Sequence, residues 1–79
     1  MPFTINIQNN GVDGTIQVKE ALNENQMIDV LNDILSAGEV RSVVCPGESP
    51  KDFTWTHWAT NLTGGPETKA DGETLVVES

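Results

Sequence analysis

Asn23-Glu24-Asn25-Gln26-Met27-Ile28-Asp29-Val30-Leu31-Asn32-Asp33-Ile34-Leu35-Ser36-Ala37-Gly38 is the stretch on which the fold turns. Met27, Val30, Leu31, Ile34 and Leu35 fall at i, i+3, i+4, i+7 and i+8, the spacing of one apolar stripe on an α-helix, with Ile28 at its margin. Asn23 stands where an N-cap belongs, Gln26 follows as in a capping box, and Gly38 stands where a left-handed C-terminal stop belongs. The spacing predicts a helix over about Glu24 to Ala37. Its polar side carries Asn25, Asp29, Asn32, Asp33 and Ser36, with no basic residue at i+4 to pair with either aspartate.

Before this stretch the apolar period is two. Phe3, Ile5 and Ile7 alternate with Thr4, Asn6 and Gln8, and Ile16 and Val18 alternate with Thr15, Gln17 and Lys19. Asn9 to Gly14 supplies turn residues between them, so a hairpin with a long loop is expected. After the stretch, Val40 to Cys45 is apolar at both parities, which predicts a mostly buried, central strand. Pro46-Gly47-Glu48-Ser49-Pro50 breaks it, Phe53 to Ala59 reads as a further strand, and residues 60–73 read as a mobile polar loop. Thr74 to Glu78 closes the chain as a short strand.

The order is ββαβββ, an α+β two-layer sandwich with one helix packed on a mixed sheet, in a single small domain over residues 1–79. Hairpin, crossing helix and central strand resemble the β-grasp, or ubiquitin-like, arrangement, and Asp71-Gly72-Glu73-Thr74-Leu75-Val76-Val77 is similar to the turn and closing strand of its small members. The chain departs from the conjugated members by ending Val77-Glu78-Ser79 in place of an exposed Gly-Gly. Gly64-Gly65 reads as loop glycine, since cleavage there would discard the closing strand.

Twelve acidic side chains against four basic ones give a net charge of −8. Direct binding to nucleic acid or anionic lipid is disfavoured, because phosphate affinity comes from Lys and Arg. A basic protein surface, such as that of a nucleic-acid-binding complex, is the natural partner, and a homodimer would add burial to a small core. No stretch is long and apolar enough to span a membrane, and Met1 to Asn6 lacks an export signal, so a cytoplasmic location is expected. Cys45 is the only cysteine and His57 the only histidine; neither a cysteine-based metal site nor a calcium loop is spelled out, and no cofactor is implied. A Cys45–His57 thiol dyad has no third residue to orient the imidazole, so both side chains read as structural and the chain as a non-enzyme.

Two features point to binding. Glu20, Glu24, Asp29, Asp33 and Glu39 form a run of carboxylates with no cation between them, expected to make a negative patch on and around the helix. In Thr54-Trp55-Thr56-His57-Trp58 the two tryptophans fall on opposite faces of a strand, so with Trp55 in the core Trp58 is an exposed anchor. The expected function is a non-enzymatic acidic domain that inhibits or regulates a partner by occupying its basic surface. Anti-CRISPR proteins and other phage or mobile-element inhibitors are similar in size and charge. A ubiquitin-like interaction module, or a small subunit of an assembly, is the alternative.

Overall fold

In the computed structural model, which describes residues 1–79, the stretch that spells a helix is a strand. The chain contains no helix. Its strands are β1 (Phe3–Asn9), β2 (Gly14–Asn23), β3 (Gln26–Leu35), β4 (Val40–Cys45), β5 (Lys51–His57), β6 (Leu62–Lys69) and β7 (Thr74–Val77). They form a three-stranded sheet of order β4-β1-β7 and a four-stranded sheet of order β3-β2-β5-β6. The pairing of β1 with β7 is parallel and the others are antiparallel. The α+β, β-grasp-like expectation is therefore overturned in favour of an all-β sandwich, and the expected β1–β2 hairpin is not formed, because the turn residues 9–14 carry the chain from one sheet to the other.

A β-bulge accounts for the misleading period. Leu31 pairs with Val18 and Asp29 with Lys19, so Val30 has no partner of its own. The extra residue shifts parity, and the side chains directed inward become Ile28, Leu31 and Leu35. Steps of three and then four residues are what a helix stripe shows, here produced by two flanks of a strand joined out of phase. Met27 and Ile34 complete the apparent stripe but stand 47% and 66% exposed on the outer face. Composition had already opposed the helix: Ile28, Val30 and Ile34 are β-branched, and Asn and Asp compete with helical backbone hydrogen bonds. The supposed capping residues serve turns. Asn23 Oδ1 accepts from the Asn25 amide at 2.9 Å in the β2–β3 connection, and Gly38 (φ 81°) donates its N–H to the Asn9 carbonyl at 2.7 Å from the β3–β4 turn.

The core is the space between the sheets. Phe3, Ile5, Ile7, Leu75 and Val77 face Ile16, Val18, Leu31, Leu35, Phe53 and Trp55, and Phe3 meets Phe53 edge-on with ring centroids 6.2 Å apart. β1 is the central strand of its sheet, and β4, expected there, lies at an edge. Val40 and Val44 are 55% and 68% exposed on its outer side, while Cys45 is fully buried. Residues 60–73, read as a loop, contain β6. No large apolar side chain of β6 is buried; instead the Trp55 indole lies beneath it, in contact with Gly64, where a methyl group would overlap the ring. The neighbouring strand thus supplies the apolar lining that hydrophobic periodicity would look for in β6 itself.

Candidate functional site

The carboxylates expected to make one patch are dispersed. Glu20 faces the interior of β2, fully buried, with Oε2 accepting from the Gly47 amide at 3.1 Å and Oε1 without a hydrogen-bond partner. Arg41, two residues beyond the acidic run, turns back to it and binds Asp33 at 2.6 Å and Glu39 at 2.7 Å. The Ile34 amide, then Arg41, hold the Asp33 carboxyl below its ordinary range; the Ser36 amide, then Arg41, do the same for Glu39. Asp29 accepts from the Gln17 side-chain amide at 3.0 Å, and Glu24 is exposed in the β2–β3 turn. The expectation of Asp29 and Asp33 as unpartnered residues of one helix face is corrected: they occupy a strand, and each is engaged by another side chain. Several acids instead tie down backbone amides: Asp13 that of Ala37, Asp71 that of Thr4, Glu73 that of Ala70. Much of the chain's acidity is employed in closing its turns.

Cys45 and His57 are not brought together. Cys45 lies beside Glu20, whose strand partner is Phe53, whereas His57 is four residues further along β5, about 13 Å at ~3.3 Å per residue. Burial, with the neighbouring Glu20 carboxylate, pushes the Cys45 thiol up to about 12. It is therefore protonated at neutral pH, and native alkylation should be at least about tenfold slower than in urea. Equal rates in a thiol-labelling time course would contradict this burial.

His57 Nε2 lies 2.8 Å from the Val12 carbonyl oxygen, which can only accept, so Nε2 is the donor there, and the buried Nδ1 has no partner. Asn9, which the sequence offers only as a turn residue, joins it. The two N–H protons of its fully buried side chain are shared among the carbonyls of Val12 (2.8 Å), Leu35 (3.0 Å) and Ser36 (3.2 Å), and its Oδ1 accepts from the Gly11 amide (2.9 Å). Its only signal was a polar residue on the apolar parity of β1, following Phe3, Ile5 and Ile7.

The surface best suited to a ligand is the outer face of the four-stranded sheet. Strand register lays out rows across it: Asn32, Gln17, Thr56 and Thr63 in one, Asp29, Lys19 and Thr54 in the next, Met27, Ala21 and Asp52 in a third. Trp58, immediately after β5, donates its backbone amide to the Thr15 carbonyl at 2.9 Å and lies 51% exposed above the first row, while Trp55 on the opposite face is 6% exposed. Trp58 Nε1 donates to Gln17 Oε1 at 3.2 Å, and Gln17 Nε2 donates to Asp29. This relay holds the exposed indole in place. Beside it lies a depression of about 460 Å³ over Gln17, Lys19, Thr54, Thr56 and Gly64. A second, of about 530 Å³, continues from Thr54 and Met27 towards Leu22 and Pro66. No family model, curated protein or solved structure matches the chain.

The face offers an aromatic surface, threonine hydroxyls, side-chain amides, the Lys19 ammonium and the Asp29 and Asp52 carboxylates, with Asp52 accepting from the Thr68 hydroxyl at 2.6 Å. No group of three or more His, Cys, Asp or Glu side chains is placed to hold a metal ion. No helix is long and apolar enough to cross a membrane.

Proposed function

We propose that this chain is a non-enzymatic binding domain whose recognition face is the outer surface of the β3-β2-β5-β6 sheet, with Trp58 as its anchor. The observation that carries this reading is an exposed tryptophan fixed by the Trp58–Gln17–Asp29 relay. An indole immobilised before binding loses little side-chain entropy when a ligand covers it, which is how rigid aromatic residues become binding hot spots. The test is amide NMR of the labelled protein during titration with fractionated extract of the source organism. Perturbed signals should cluster at Trp58, Gln17 and Thr56, and Trp58→Ala should weaken the response at least about tenfold. Perturbation confined to the opposite sheet, at Thr4, Val44 and Val76, or a response indifferent to Trp58→Ala, would reject the reading.

A second reading is the acidic protein that occupies a basic, nucleic-acid-binding surface of a partner, in the manner of anti-defence inhibitors. It draws on the net charge of −8 and on Glu24 and Asp29, both exposed with no cation within 4.0 Å. Its signature is an association rate that falls steeply with salt, whereas loss of a packed indole raises a dissociation rate that salt leaves unchanged.

A further inference from the structure

Resting on the reading of the outer sheet face as the recognition surface, we infer that its ligand is a carbohydrate, a pyranose ring of a neutral glycan stacked on Trp58. The indole N–H is already used by Gln17. What Trp58 presents to a ligand is therefore its apolar ring face, half exposed, with no directional polar group left on it. Around that face the unused groups are polar. The hydroxyls of Thr54, Thr56 and Thr63 and the ammonium of Lys19 make no hydrogen bond to another protein group, although all four side chains line the same depression. A ligand that fits has one flat apolar face and a periphery of hydroxyls that donate and accept. Pyranose rings have that form: axial C–H bonds make an apolar face, and the equatorial hydroxyls project sideways to meet hydroxyl, amide and ammonium partners.

Charge narrows the choice. Lys19 is the only charged side chain lining this depression and Asp29 stands opposite it in register, so a basic peptide meets no surplus of negative charge there. A polyanion would have to approach a chain of net charge −8. A neutral polyol meets neither penalty. At about 460 Å³ the depression lies within the ~300–1,000 Å³ range of small-molecule sites, and its continuation past Thr54 and Met27 provides room for further residues of a glycan chain.

The experiment follows the Trp58 indole N–H signal of the full chain together with its backbone amides. Cellohexaose, maltohexaose and mannohexaose are titrated separately into labelled protein at millimolar concentration, followed by a hexa-arginine peptide. A hexasaccharide should move the Trp58 indole N–H, the Gln17 side-chain amide and the Thr54 and Thr56 backbone amides, leaving the amides of Thr4, Val44 and Val76 on the opposite sheet in place. Trp58→Ala should abolish that response and Trp58→Phe, which keeps a ring face, should retain part of it. Because Trp58 is outside the core, both variants should keep the wild-type spectrum elsewhere, so loss of response will not be loss of fold. If only the arginine peptide moves the Trp58 signals, the carbohydrate assignment is overturned and the recognition face stands. If no hexasaccharide moves them the carbohydrate assignment is overturned whatever the peptide does, and if the arginine peptide then perturbs only the opposite sheet the recognition face is overturned with it.

Discussion

Asn9→Ala should remove most of the stability of this domain, lowering the urea midpoint with an unchanged slope, while Asn10→Ala next to it should shift the midpoint by less than about 0.5 kcal/mol equivalent. Asn9 is fully buried and holds two connections at once. Its side chain donates into the β1–β2 turn at Val12 and into the end of β3 at Leu35 and Ser36, and its backbone bonds Glu39 and Gly38 across the β3–β4 turn. Alanine removes every side-chain partner and leaves the Leu35 carbonyl with one acceptor site unfilled inside the protein. Unsatisfied buried polar groups cost about 1–3 kcal/mol each, so a total of roughly 2–4 kcal/mol is expected against a small-domain stability of about 5. Asn10 makes its side-chain bonds to Glu78 in solvent. If the two variants melted together, the Asn9 network would not be what joins the turns.

The parts of the fold legible in the sequence are those in which each strand carries its own signal. β1 and β2 alternate because one face of each meets the core and the other meets water. Trp55 and Trp58 separate onto opposite faces for the same reason. The reading failed where a strand's signal is supplied by something else. In β3 the bulge at Val30 puts two flanks out of phase and imitates a helix. In β6 the apolar lining belongs to Trp55, leaving Leu62 to Lys69 with the composition of a loop. In β4 the outward valines mimic burial on both faces, although the strand sits at an edge.

The candidate site divides in the same way. Trp58 was visible from parity alone, but Gln17, Lys19, Thr54 and Thr56 join it only through the β2–β5 register, a pairing of strands some forty residues apart in the chain. The acidic run was visible and misread for a related reason: nothing local marks Glu20 as interior, or shows that Arg41 returns to Asp33 and Glu39 once β4 packs beside β3.

Leu31→Ala and Ile34→Ala should separate the two accounts of residues 23–38 most sharply. On a helix stripe the two positions are equivalent, three residues apart on one buried face, and each substitution would open a cavity costing about 2–5 kcal/mol. In the sandwich they are unlike. Leu31 is 8% exposed and packs opposite Val18, whereas Ile34 is 66% exposed, and the bonds holding its own backbone come from Asp33 and Arg41. Leu31→Ala should cost about 2–4 kcal/mol, enough at ~4–8 °C per kcal/mol to lower the melting temperature by more than 10 °C. Ile34→Ala should cost under about 1 kcal/mol, the loss of β-propensity at an exposed strand position. Far-ultraviolet circular dichroism of the wild type provides the independent measurement, since a helix over Glu24 to Ala37 would contribute a helical double minimum that an all-β chain lacks. Equal destabilisation by the two substitutions, together with that double minimum, would return the segment to a helix and remove β3 from the sheet that carries Trp58.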